Sequence, residues 1–152
     1  MSTKKHDNLR KELVRCALRW QKYYGVAPHI TSALSEYDAA VLKNCLKEYL
    51  EQALPRTSVT PGYDFECNNK KYQVKANRPS GKPGSKVTLV ANPKNYDWDF
   101  LIWILYDEKY KISEAWEWKC EAFKKKFENK KRLGPKDMQG GKQIYFRKVL
   151  SK

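Results

Sequence analysis

Histidine is nearly absent from this chain: His6 and His29 are the only two in 152 residues. Mechanisms built on a histidine base have little to draw on, and so have imidazole metal centres. The four cysteines, at positions 16, 45, 67 and 120, stand far apart, with no CxxC pair and no histidine close by. That spacing speaks against a zinc site or a disulfide framework and predicts reduced thiols in a cytoplasmic protein. No run approaches the ~18 apolar residues of a membrane span, and no apolar stretch follows the first lysines to serve as a signal peptide. Acidic residues are scarce as well, with 17 Asp and Glu against 31 Lys and Arg, a formal net charge of +14. An excess of that size favours a polyanionic partner, nucleic acid ahead of an anionic membrane or protein surface.

What is present describes one folded domain over residues 1–152, with residues 1–7 expected to be flexible. Hydrophobic residues make up 41% and aromatics 13%, enough for a core, so the mean hydropathy of −0.83 reflects a charged surface. Leu9, Leu13, Cys16/Ala17, Trp20 and Tyr24 recur at helical spacing and predict a helix over 8–24 with that stripe inward. A second helix is expected from Thr31 or Ser32, either of which can cap it, to Pro55. From Tyr63 the period changes to two: strands are expected at 63–67, 71–77, 87–91, 99–106 and 110–118. "DFLIWILY" is apolar on both parities and so belongs at the centre of a sheet. A short basic helix with Phe123 and Phe127 inward, then a strand "QIYFRKV", complete a mixed α/β chain.

The stretch "GYDFECNNKKYQVKAN" (62–77) carries charge where a half-buried strand prefers none. With Asn68-Asn69 as the turn, residues whose numbers sum to 137 face each other, so Asp64 opposes Gln73 and Glu66 opposes Lys71. Lys75 stands two residues further on the same side. One side of the hairpin therefore gathers a carboxylate, an amide and an ammonium, while Tyr63, Phe65, Cys67, Tyr72 and Val74 form an apolar side. An exposed hairpin edge with cross-strand charge pairs accounts for the same pattern, with Glu66 as the partner of Lys71.

The order helix-Glu36, strand-Asp64, hairpin, Gln73-x-Lys75, basic loop, buried strand resembles the PD-(D/E)XK nuclease superfamily over roughly residues 30–118. It departs from it in having Gln73 where a carboxylate is commoner. The resemblance implies a restriction endonuclease-like three-layer core, a central mixed β-sheet flanked by helices. It implies an Mg²⁺-dependent DNA endonuclease, with Mn²⁺ as a substitute ion. Asp64, Gln73, the Val74 carbonyl and Glu36 are then the metal ligands, and Lys75 lies beside the attacking water. A small type II restriction-like enzyme working as a homodimer is the first expectation. A Holliday junction resolvase, a repair nickase and an inactive DNA-binding relative are the alternatives. Arg78, Lys82 and Lys86 in the Gly/Pro loop are candidate DNA contacts, as are Lys124 and Lys125 of the basic helix.

Overall fold

The computed structural model of the chain describes residues 3–57, 62–85 and 89–148. The helices are α1 (Thr3–Tyr24), α2 (Thr31–Leu42), α3 (Leu46–Ala53), α4 (Cys120–Phe127) and α5 (Pro135–Met138). The strands are β1 (Phe65–Cys67), β2 (Lys70–Asn77), β3 (Val90–Ala91), β4 (Phe100–Tyr106), β5 (Ile112–Lys119), β6 (Arg132–Leu133) and β7 (Lys142–Phe146).

Because β4 is apolar on both parities, both of its faces must be covered. It lies inside a five-stranded sheet ordered β1-β2-β4-β5-β7, parallel to β2 and antiparallel to β5. Ile102 and Ile104 point into a core shared with Leu34, Ala39, Ala40, Phe65, Tyr72 and Val74, beneath α1, α2 and α3. Leu101 and Trp103 point the other way, into a second core with Trp118, Phe123, Phe127, Leu133 and Met138. Helices on both faces of a mixed sheet are the α/β arrangement expected from the sequence. β3 and β6 form a separate two-stranded ribbon.

Four expectations are corrected. The first concerns α1, which is helical from Thr3 rather than from residue 8, and the Tyr37 hydroxyl donates to Asp7 Oδ1 at 2.7 Å. The apolar stripe of α1 is not its inner side. Leu9, Leu13, Trp20 and Tyr24 are 63%, 40%, 54% and 70% exposed, while Ala17 is buried. The docking face carries Val14, Ala17 and Leu18 against the core, flanked by Arg10, which reaches Asp38 of α2, and by Gln21, whose amide donates to the Ser80 carbonyl at 3.1 Å.

The second correction is that the helix expected from Thr31 to Pro55 is two helices. Asn44 takes a left-handed φ of 57°, which asparagine tolerates and a continuing helix does not. Cys45 N–H then donates to Ala40 O at 2.7 Å. Ile30, with no side-chain cap, precedes α2, so neither Thr31 nor Ser32 is its cap.

Third, two of the four cysteines are not thiols. The corner after Asn44 seats Cys45 against the end of β1, with Cα atoms 6.0 Å apart, and a Cys45–Cys67 disulfide joins them. Cys16 and Cys120 are free.

Fourth, the strand expected at 87–91 is the two-residue β3, with residues 86–88 outside the described ones. Its partner β6 and the turn of helix α5 had no expected counterpart. Pro135 at the first helical position and Asp137, whose Oδ2 accepts the Gly134 N–H at 2.8 Å, hold that turn.

Candidate metal and phosphodiester site

The hairpin forms as its turn residues dictate. Asn68 and Asn69 both adopt positive φ, 52° and 59°, the conformation a two-residue type I′ turn requires. The register follows: Phe65 pairs with Tyr72 and Glu66 with Lys71. One step before the strand, Asp64 N–H donates to Tyr72 O at 2.8 Å, so the ladder continues into the site. Gly62 lets the chain approach residues 95–97 closely, since a Cβ there would lie 2.8 Å from Asn95 Oδ1 and 2.9 Å from Asp97 Oδ2.

Asp64 and Gln73 meet as the register demands. Gln73 Nε2 donates to Asp64 Oδ2 at 3.0 Å, and the Val74 N–H donates to the same oxygen at 2.6 Å. Lys75 shares the strand parity of Gln73, beside Trp103 of β4, and its charge favours ionised Asp64. From α2, Glu36 reaches the same place and shares a hydrogen bond with Asp64. All four candidate site residues whose side chains were named for chemistry are therefore gathered. Val74 joins them through its N–H.

The electrostatics are those of two carboxyl groups forced together. Burial pushes Glu36 up to about 7, the neighbouring Asp64 charge adds to the shift, and Arg56 opposes it. Burial also raises Asp64, against the pull of the Val74 N–H, Lys75 and Arg56. The contact between the two carboxyls raises Glu36 and lowers Asp64, which favours the proton at Glu36. Desolvated carboxyls that crowd one another are poorly satisfied by a proton and well matched to a hard divalent cation, which prefers oxygen ligands. The donor set fits such an ion once the Gln73 amide turns its oxygen toward Asp64. Among the described residues no group of three or more His, Cys, Asp and Glu comes together. The set is therefore two carboxyls, one amide and main-chain oxygen.

Two residues of this site have no signal in the sequence. Arg56, in the loop after α3, places Nη1 3.3 Å from Glu36 Oε2 and donates through Nη2 to the Asp64 carbonyl. Gln52 of α3 covers the edge of β1: its Nε2 donates to Glu66 O at 2.6 Å and its Oε1 accepts the Glu66 N–H at 2.8 Å. An edge strand needs such cover to avoid open main-chain groups. The expected Glu66–Lys71 ion pair is absent among the described residues. Lys71 instead lies over the Tyr63 ring, 5.1 Å from its centroid. Asp99 is structural, its Oδ2 accepting the Lys71 N–H at 2.8 Å.

The candidate DNA-contacting cations are less free than their loop composition suggests. Arg78 stacks on Tyr110 at 4.1 Å and donates to Gln21 Oε1 at 2.7 Å and to the Glu108 carbonyl. The Lys82 ammonium donates to the Gly25 carbonyl. Both thus tie the loop to the end of α1, around a cleft of about 800 Å³ lined by His29, Ser32, Asn77, Arg78 and Lys82 among others. The cleft begins at Ala76, directly after Lys75. Lys86 lies outside the described residues. Lys124 sits over the Tyr96 ring at 5.2 Å, and Lys125 is exposed on α4. No family model matches the chain, and no curated protein matches its sequence.

Proposed function

We propose that this chain is an Mg²⁺-dependent DNA endonuclease of the PD-(D/E)XK kind. The observation that carries the reading is the buried Glu36–Asp64 carboxyl pair beside Gln73 and Lys75 on one hairpin. In this reading the two carboxylates, the Gln73 amide oxygen and the Val74 carbonyl hold Mg²⁺, with Mn²⁺ as a substitute. A divalent ion bound there supplies neutralising charge to the phosphodiester and acidifies a water molecule. Lys75 orients that water and favours its deprotonated form by its own charge. Glu36 gives up the proton it shares with Asp64 when a cation enters, so binding of the ion is linked to proton release. The Val74 N–H holds Asp64 in one orientation, which keeps the ligand oxygens from turning back to solvent.

The net charge of +14 supports DNA as the partner. Two strands to be cut call for two such sites, so a homodimer and a restriction-like role belong to the proposal, ahead of a resolvase or nickase. No helix among the described residues is long and apolar enough to cross a membrane. A cytoplasmic place of action is part of the same reading. The Cys45–Cys67 bond stands against it, since reducing compartments disfavour disulfides.

The test is incubation of the protein with supercoiled, branched and single-stranded DNA in Mg²⁺ or EDTA, followed by mapping of the ends. Cleavage in Mg²⁺ alone, lost in Asp64→Asn and Lys75→Ala, is the expected result. Equal cleavage in EDTA overturns the metal site. Salt-sensitive DNA binding without cleavage under any condition identifies an inactive DNA-binding relative.

A further inference from the structure

We propose that Arg56 is the resident counter-cation of this site, holding Glu36 and Asp64 together when no divalent ion is bound and yielding its place when one enters. The inference rests on the metal-site reading above and assigns that site a built-in competitor.

Three observations support it. Arg56 bridges the two residues that carry the carboxyl groups, through Nη1 to the Glu36 carboxylate Oε2 at 3.3 Å and through Nη2 to the main-chain carbonyl of Asp64. Among the described residues it forms the only ion pair made by either acid. Its hold on the carboxylate itself is a single contact, and the Arg56 side chain keeps 21% of its surface exposed. A guanidinium at an optimal site makes two short parallel bonds to a carboxylate, as Arg10 does on Asp38 at 2.7 Å each. Finally, Arg56 stands on a loop beyond the end of α3, with its N–H bonded to Ala53 O at 3.1 Å, whereas Lys75 is fixed within the paired strand β2.

Charge arithmetic then selects the group that moves. Once Glu36 has given up its proton, it and Asp64 carry two negative charges, and Arg56 with Lys75 supplies two positive ones. A divalent ion added to that balanced set leaves an uncompensated double positive charge in a half-buried place, which is costly. One resident cation must withdraw, and Arg56 is the one that occupies an oxygen of a proposed ligand and stands on a loop rather than in a paired strand.

The experiment is a titration of the full-length protein with Mn²⁺, followed by calorimetry and by the electron paramagnetic resonance of the free ion. Wild type, Arg56→Ala, Arg56→Lys and Asp64→Asn are compared. Removing the competitor is expected to tighten Mn²⁺ binding in Arg56→Ala by about tenfold, the scale of one partly buried ion pair. Arg56→Lys, which keeps a charge without the fork, falls between. Added guanidinium ion should weaken Mn²⁺ binding to Arg56→Ala back toward the wild-type value, which a purely structural role of Arg56 does not predict. If Arg56→Ala fails to fold, Arg56→Lys and guanidinium competition in wild type carry the test. Equal or weaker Mn²⁺ binding in the folded variants, while wild type binds and Asp64→Asn does not, overturns the inference alone. Absence of Mn²⁺ binding in every protein, or binding unaffected by Asp64→Asn, overturns the metal-site reading beneath it.

Discussion

Glu36 and Asp38 lie two residues apart on α2, and each meets an arginine from another element. Arg10 forks onto Asp38 with two 2.7 Å bonds, and the Tyr106 hydroxyl donates to the same carboxylate at 2.5 Å. Arg10 Nη2 also donates to Tyr110 O at 3.0 Å. Both carboxylate oxygens are engaged, and Asp38 is buried. Arg56 meets Glu36 by one long contact, beside a second carboxyl group and with both side chains partly exposed. The first pair is complete and locks α1, α2 and β4 together. The second is crowded and under-satisfied, the condition in which a site retains free energy for a ligand.

That difference predicts the largest effect at the complete pair. Asp38→Ala leaves the Arg10 fork and the Tyr106 hydroxyl without their acceptor in the interior. A loss of about 3 kcal/mol in stability is expected, measured by urea unfolding. A loss below about 0.5 kcal/mol, the level of an ordinary surface change, would show that the network is ornamental and would erase the contrast.

At the crowded pair, changes should separate stability from ligand binding. Gln73→Glu places a third carboxylate beside Asp64, so it should cost about 1 kcal/mol in EDTA and tighten Mn²⁺ binding about tenfold. Opposite signs in the two measurements are the point. Matching signs would remove Gln73 from the ligand set. Asp64→Asn relieves the like-charge contact and keeps an oxygen for the Val74 N–H, so its stability should stay within about 1 kcal/mol of wild type. Ion binding should nevertheless be lost.

The parts of this contrast visible in the sequence are the local ones. A two-residue Asn-Asn turn sets the register by itself, which is why Asp64 opposite Gln73 could be read before any coordinates. The double-sided apolar run of β4 likewise admits only a central position. The complete pair was invisible because Arg10 and Asp38 are joined by tertiary placement of two helices. The α1 stripe of Leu9, Leu13, Trp20 and Tyr24 misled for a related reason: a neighbouring stripe, Val14, Ala17 and Leu18, packs on the core, with Arg10 and Gln21 bonded beside it. Asn44 broke the second helix through a single left-handed residue, and only that corner brings Cys45 to Cys67. Arg56 had no signal at all, being one of 31 basic residues whose role depends on a loop path.

The smallest expected effect is also the most specific to the crowded pair, because it reads the shared proton directly. Glu36 titrates near 7 in the fold, against an ordinary value of 4.5. Between those values the folded chain binds a proton that the unfolded chain has released, so stability falls as pH rises from about 4.5 through 7. Below 4.5 both states hold the proton and the contribution is complete. Above 7 both are ionised and it is gone. Raised Asp64 adds a change of the same sign. Asp107, whose acidity is strengthened by Arg147, works in the opposite direction but below its ordinary value of 3.8, outside this window. Thermal melting in EDTA across pH 4.5 to 8 should therefore show a decline that Glu36→Gln flattens, since the amide keeps the size and cannot ionise. An unchanged slope in Glu36→Gln would mean that Glu36 does not hold the proton, and the two arginine–carboxylate pairs of α2 would then differ in geometry alone.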